Sequence, residues 1–179
     1  MATLGAGDLK EAVKLPANRT FEEWAAAHVS EFFNQLNLLF SSIIDNCTTE
    51  SCPEMTAGPA YKYYWQDNDK YKKPTMIPAR EYIANVLLMV EKYLDDESVF
   101  PSDPATPYPK NFREILVNIF KRMFRIYAHI YFHHREHIQR IGAEAHLNTC
   151  FRHFVIFAKE FKLIPEDQYA PLKQIIDKF

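Results

Sequence analysis

Two cysteines, Cys47 and Cys52, and a histidine cluster, His129, His133, His134 and His137, supply metal-binding side chains in this sequence. Thiolate and imidazole are ligands that zinc prefers, and two of each close a structural tetrahedron with Zn–S near ~2.3 Å. The cysteines follow one long apolar-striped segment, and the histidines lie late in another. A metal held by both would pin an irregular loop to a helix. A helix turns about 100° per residue, so His129 and His133 share a face, as do His133 and His137. His129 and His134 lie about 140° apart and converge only if the helix ends or distorts between them. Spacing alone leaves the ligating pair open. It also leaves open ordinary buried thiols beside solvated histidines.

Three further groupings carry possible chemistry. His133-x-x-Glu136-His137 has the pattern of inverted zinc peptidases, in which the glutamate is the general base. Such a site wants an acidic ligand well downstream, and little chain remains. Lys121, Arg122 and Arg125 are spaced three and four apart, so they share a helix face with no interleaved carboxylate. That trio would hold a phosphate through planar, charge-assisted hydrogen bonds, or form a solvated basic face. Lys72 and Lys73 would add charge if the fold brings them near. Leu38 and Leu39 are adjacent on an aromatic-rich helical segment, Trp24 to Phe40, and cannot both face one core, so one is free for a partner helix. Cys150 and His153 are one helical turn apart, which reads as packing.

The elements that must position these residues are helical. Thr20 and Glu23 form a capping box, and apolar residues then recur at helical spacing to about Asp45. A short turn over Leu9 to Val13 precedes it. Pro78 opens the next helix, striped by Tyr82, Val86, Leu87 and Val90. A proline-rich loop over 94–110 follows. Asn111 with Glu114 is expected to cap a third helix running to Ile130, and a break near Arg135 or Gly142 precedes a fourth, Ala143 to Phe161. Pro165 starts a last helix. Between the first two, Tyr61 to Trp65 and Lys70 to Lys73 flank the turn Asp67-Asn68-Asp69, which predicts a small β-hairpin. The expected fold is all-α, a four-helix bundle core with additional short helices and that hairpin.

Composition agrees. The 179 residues contain 4 Gly, 11 Pro, 14 Phe and 10 Tyr. So little glycine argues against barrels, propellers and phosphate-cradling loops, and no Gly-x-Gly-x-x-Gly or Gly-Lys-Ser/Thr occurs. A net charge of −2 gives no case for nucleic acid. No apolar run approaches a membrane span, and no signal-peptide profile is present, so no membrane insertion and a reducing compartment are expected. Three Cys are too few for a disulfide framework.

Longer stretches carry a family resemblance. They include Ala2-Thr3-Leu4-Gly5-Ala6-Gly7, Phe32-Phe33-Asn34-Gln35, Cys47-Thr48 with Ser51-Cys52-Pro53, and Met55-Thr56-Ala57-Gly58-Pro59. Lys72-Lys73-Pro74, Phe100-Pro101 and Pro109-Lys110-Asn111-Phe112 continue it. Phe124-Arg125-Ile126-Tyr127-Ala128-His129-Ile130-Tyr131 and Glu144-Ala145-His146-Leu147-Asn148-Thr149 are the most specific. Over nearly its whole length the chain resembles the Mob family of kinase-activating adaptors, its founding branch above all.

The resemblance implies a non-catalytic adaptor and coactivator, not an enzyme, in Hippo/mitotic-exit-type signalling. It implies a structural Zn2+ on Cys47, Cys52, His129 and His134, hence a helix end or distortion near 131–134. Lys121, Arg122 and Arg125 would bind phosphothreonine on an upstream kinase or scaffold. Leu4, Leu9, Glu31, Gln35, Leu38, Leu39 and His153 would dock an NDR/LATS-type protein kinase. Thr3 matches a regulatory phosphorylation site, whose phosphate would add roughly −1.5 to −2 charges. Residues 1–19 would be a regulatory or docking segment, and 20–179 a single Mob-type helical domain. The expected location is the cytoplasm, with the nucleus, spindle poles, centrosome or basal bodies beside it. Ala17-Asn18-Arg19 replaces a stretch usually acidic in that branch, and Arg135 to Arg140 is more basic. The kinase helices are basic, so Arg19 is expected to weaken or redirect the pairing. The chain begins almost at the Thr3 motif, so a longer N-terminal extension is expected to be absent or removed. The alternatives are a zinc hydrolase using His133, Glu136 and His137, and a phosphopeptide reader that activates no kinase.

Overall fold

The structure, a computed structural model, describes residues 8–179. Its helices run in chain order: α1 Leu9–Ala12, α2 Phe21–Ile43, α3 Ala79–Asp95, α4 Phe112–His133, α5 Arg135–Arg140, α6 Glu144–Glu160, a 3₁₀ helix Glu166–Leu172, and α7 Lys173–Ile176.

Local chemistry sets most boundaries. The Thr20 hydroxyl accepts from the Glu23 backbone N–H at 3.2 Å, satisfying one free donor at the start of α2. Pro78 precedes α3 with its φ already near the helical value. Asn111 precedes α4, but its side chain makes no capping bond. After α6, Lys162 and the run to Pro165 stop the helix. The expected last helix begins as a 3₁₀ segment, because Pro171 has no N–H to give an α-helical ladder.

Four long helices, α2, α3, α4 and α6, bury their apolar stripes against one another. The centre is aromatic. Phe32 of α2 meets Phe120 of α4 edge-on at 6.0 Å and Phe154 of α6 at 5.4 Å. Phe120 in turn stacks on Phe154 at 5.3 Å. Such offset and edge contacts add roughly 0.5–1.5 kcal/mol per pair beyond area burial.

The expected hairpin does not form. Among the described residues there is no β-strand, only the isolated bridges Thr56↔Lys62 and Trp65↔Thr75. The physical reason is that residues 61–65 bond in two directions. Tyr63 donates its N–H to the Met55 carbonyl, and the Tyr61 carbonyl accepts from Ala57, both at 2.9 Å. Only Trp65 pairs forward, exchanging both bonds with Thr75 at 2.8 Å. The Asp67 carboxylate then closes the loop itself, accepting from Trp65 Nε1, Asp69 N and Tyr71 N. A single side chain satisfies the donors that a ladder would have used.

No helix among the described residues is long and apolar enough to cross a membrane.

Candidate functional site

The cluster around Cys47 and Cys52 is assembled by three segments. Cys47 follows the end of α2, its N–H bonded to the Ile43 carbonyl at 3.0 Å. Cys52 lies in the loop, with its N–H on the Thr48 carbonyl at 2.9 Å and its carbonyl accepting from Ala79, the first residue of α3. His129 projects from α4. The helix stops at His133, and His134 adopts φ −130°, ψ 8°. That break swings His134 back towards His129, bringing together two rings that an unbroken helix would hold about 140° apart.

The four ligand atoms lie within 4.8 Å of one another, and all four residues are buried. Cys47 Sγ is 3.5 Å from His129 Nε2, Cys52 Sγ is 3.8 Å from His134 Nε2, and the two Nε2 atoms are 3.2 Å apart. Bonds of about 2.3 Å to sulfur and about 2.0 Å to nitrogen in a tetrahedron separate S from N by about 3.5 Å and N from N by about 3.3 Å. The donor set therefore fits a four-coordinate metal ion. The cluster is able to coordinate a metal, and with four protein ligands it is a closed site.

Electrostatics agrees with a site that waits for a cation. Burial pushes the Cys47 thiol up to about 12, with the neighbouring Cys52 adding to the rise. Burial likewise lowers His129 to about 3 and His134 to about 4. These shifts favour a neutral Cys47 thiol and neutral His129 and His134 imidazoles. A bound divalent ion would hold the cysteines as thiolates and release their protons.

The hydrolase residues do not converge. His133 is exposed, with its Nε2 on the Thr56 hydroxyl at 2.9 Å. His137 donates its Nε2 proton to the Ser42 carbonyl at 3.0 Å. Glu136 is 91% exposed and pairs with Arg140. No hydrolytic centre forms from these three. Cys150 lies 3.8 Å from His146, not His153, and its thiol is pushed up to about 11 by burial. It is a packing residue.

The basic trio sits on α4, about two turns before the histidines. Arg122 stacks over the Trp65 ring at 4.7 Å, and Arg125 over the Tyr63 ring at 4.7 Å. Arg122 Nε donates to Asn118 Oδ1 at 3.0 Å, and Arg125 Nη1 donates to the Tyr82 hydroxyl at 2.9 Å. Each guanidinium is held against a ring; Arg125 Nη2 also reaches Gln168 Oε1 at 3.5 Å, and Arg122 Nη1 and Arg125 Nε are buried without a hydrogen-bond partner. Among the described residues no salt bridge joins any of the trio to a carboxylate. Burial above all, then the neighbouring Arg125 and Arg122, push the Lys121 ammonium down. Lys72 and Lys73 are exposed on the loop between Trp65 and Thr75.

On α2, Glu31 is exposed, and Leu38 is 66% exposed. Gln35 donates weakly to Glu31 Oε1 at 3.4 Å. Leu39 is 2% exposed and belongs to the core. His153 of α6 lies near this face, its ring 5.6 Å from that of His28. Leu9 is half-buried on α1, which packs on α6. Thr3 and Leu4 lie outside the described residues.

Sequence reading missed the supports. Asn118 was findable, one turn before Arg122. Tyr82, Trp65 and Thr56 reach their partners only through tertiary contact and leave no local signal. His28, stacked on Phe157 at 4.2 Å, looked like one more polar position on a helix.

The fold and sites together define an all-helical protein with a closed thiol–imidazole cluster and a separate pair of oriented guanidinium groups, which is binding apparatus. The chain belongs to the Mob1/phocein family, whose model matches residues 1–172. It is similar to "MOB kinase activator-like 1A" of Medicago sativa subsp. falcata, 47% identical over 98% of this chain and 82% of that protein. It is equally similar to "Maintenance of ploidy protein mob1" of Schizosaccharomyces pombe, 47% identical over 98% of this chain and 84% of that protein. "MOB kinase activator-like 1 homolog C" of Dictyostelium discoideum is also 47% identical, over 98% and 82% respectively.

Proposed function

We propose that this protein is a non-catalytic adaptor and coactivator of an NDR/LATS-type protein kinase, and that it reads phosphothreonine on an upstream kinase or scaffold in Hippo/mitotic-exit-type signalling. The observation that carries the reading is the guanidinium pair: Arg122 and Arg125 are pre-oriented on Trp65 and Tyr63, with no salt bridge to a carboxylate among the described residues. Planar forks held in this way recognise a phosphate dianion through two or more charge-assisted bonds. Relatives named kinase activators are 47% identical to this chain over 176 residues.

In this reading the four-residue cluster holds a structural zinc ion, which supplies a cross-link between the α2–α3 loop and α4. The kinase docks on the α2 face bearing Glu31, Gln35 and Leu38, with Leu9 and His153 beside it, and Leu4 completes that surface. Binding one kinase conformation better than another shifts that kinase's population towards its active form. Phosphorylation of Thr3 regulates the docking. The protein acts in the cytoplasm, with the nucleus, spindle poles, centrosome or basal bodies as further sites.

The test is paired. A phosphothreonine peptide and its unphosphorylated form are titrated against wild type and Lys121→Ala/Arg122→Ala. Kinase recovery by pull-down is measured for both proteins. Loss of phosphopeptide binding with kinase recovery unchanged is expected. Equal affinity for phosphorylated and unphosphorylated peptide, or no kinase recovered by wild type, would overturn the reading.

A further inference from the structure

One residue contacts both the metal cluster and the helix end beside it. Thr56 lies four residues after Cys52, in the loop between α2 and α3. Its carbonyl oxygen accepts from His129 Nδ1 at 2.7 Å. Its hydroxyl is 2.9 Å from His133 Nε2, and the Gly58 N–H points at the same nitrogen at 3.5 Å. Backbone groups have fixed roles, and these fix the protons on both rings. A carbonyl only accepts, so His129 carries its proton on Nδ1 and presents a bare Nε2 lone pair to the cluster. An N–H only donates, so His133 Nε2 is an acceptor, and the Thr56 hydroxyl is its donor. His133 is one turn beyond His129 on α4, and the two rings lie 4.6 Å apart.

The geometry points to Thr56 and His133 as a positioning pair for the metal site, a strap that fixes the His129 tautomer and holds the Cys52 loop against α4 before metal arrives. His133 shares a helix face with His129, as a second ligand on an unbroken helix would. It serves the site through Thr56 instead. A ligating histidine is commonly oriented by an acceptor on its other ring nitrogen, and removing such a support weakens metal binding by about 10- to 100-fold. Here the acceptor is a main-chain carbonyl, which no substitution deletes. That carbonyl is held by the Ala57 N–H bond to the Tyr61 carbonyl in the same peptide unit and by the side-chain bond to His133, and only the second is open to substitution. Pre-organisation of the loop is therefore the quantity that substitution would change. The inference rests on the reading of Cys47, Cys52, His129 and His134 as metal ligands.

Zinc affinity is measured by chelator competition, and ligand-field spectra are recorded with Co2+, for the full chain and four variants: Thr56→Val, Thr56→Ser, His133→Phe and Thr56→Val/His133→Phe. Thr56→Val and His133→Phe are expected to weaken zinc binding about 10- to 100-fold with the cobalt spectrum unchanged. Thr56→Ser, which keeps the hydroxyl, restores wild-type affinity. The double variant is no weaker than either single one, because both remove the same bond. Wild-type affinity in Thr56→Val and His133→Phe would overturn the strap while leaving the metal reading intact. So would additive losses, or a shifted cobalt spectrum in His133→Phe, which would make His133 a ligand. Zinc binding absent from wild type would overturn the metal reading and the strap together. Thr56→Val replaces only the hydroxyl by a methyl group and Thr56→Ser keeps the hydroxyl, so a loss in Val that Ser restores is not a loss of fold.

Discussion

Two glycines, Gly58 near the metal cluster and Gly142 after α5, offer a matched pair of backbone experiments. Gly58 and Gly142 both have φ of +76°, the left-handed region that costs a residue with a Cβ about 1–2 kcal/mol. They differ in what a new methyl group would meet. At Gly142 nothing lies within 4 Å. At Gly58 the ideal Cβ would sit 2.9 Å from Phe132 Cε1 and 3.0 Å from Cδ1. Overpacking costs about 1–3 kcal/mol in a rigid surrounding. Phe132 is 47% exposed and can swing outwards, so the lower end applies, about 1 kcal/mol. Gly142→Ala is thus expected to lose about 1–2 kcal/mol and Gly58→Ala about 2–3 kcal/mol. The assay is urea unfolding of both variants and of Phe132→Ala, alone and combined with Gly58→Ala. The combination is expected to recover the packing share, leaving only the φ cost. Equal losses at the two glycines, or strict additivity of Gly58→Ala with Phe132→Ala, would refute the claim that the α4 end packs against this loop.

Two other outcomes follow from burial. Leu39→Ala should cost about 2–5 kcal/mol, since Leu39 is a core residue, whereas Leu38→Ala should stay within about 0.5 kcal/mol. Leu38→Glu should weaken capture of a kinase N-terminal fragment without moving Tm. Binding that fails only when the fold is destabilised would exclude this face from docking. His28 is kept neutral mainly by burial, against opposing pulls from its Trp24 carbonyl bond and Glu31. Its folded pKa lies below the ordinary value, so below about pH 6.5 the unfolded chain takes up the proton first. Stability contributed by His28 is present above that pH and is lost as pH falls towards the folded pKa. His153, facing it, is also lowered by burial. His28→Phe should flatten the decline in urea midpoint between about pH 7.5 and 5.5, and an unchanged decline would exclude His28 as its source.

The long helices were legible because their signals are local. The Thr20 cap, the proline before α3 and apolar stripes at helical spacing need only neighbouring residues. The break at His134 was not. Nothing between Tyr131 and Arg135 is a helix breaker; the helical pattern placed a break only near Arg135 or Gly142, and its position among the histidines followed from family resemblance. Once formed, it is held by tertiary contacts around His129 and Thr56. The hairpin failed for a related reason. Aromatic residues flanking Asp67-Asn68-Asp69 have strand periodicity, but their burial partners are arginines on α4 and Tyr82 on α3. Trp65 meets Tyr82 edge-on at 5.4 Å and lies under Arg122. Periodicity reports that alternate side chains are buried. It does not report against what, and here a helix surface replaces a second strand.

That substitution explains why the two sites share α4. Residues 44–78 carry almost no backbone ladder, so their shape depends on what pins them. At the near end the pins are Cys47 and Cys52 facing His129 and His134. At the far end they are Tyr63 and Trp65 under Arg125 and Arg122. All of these partners but His134, which lies just past the helix end, come from α4, with little more than one turn between Arg125 and His129. A loop with few bonds of its own has much conformational entropy to lose, about 1–2 kcal/mol per ordered residue. Each pin that orders it lowers the cost of the next. Fixing the cysteines to α4 therefore favours the aromatic platform on which the guanidinium groups lie, and the platform in turn favours the loop that presents the cysteines. The scarcity of glycine fits this arrangement: with only 4 Gly in the chain, the loop does not cradle phosphate with its backbone, and its aromatic side chains instead orient the arginines that would do so.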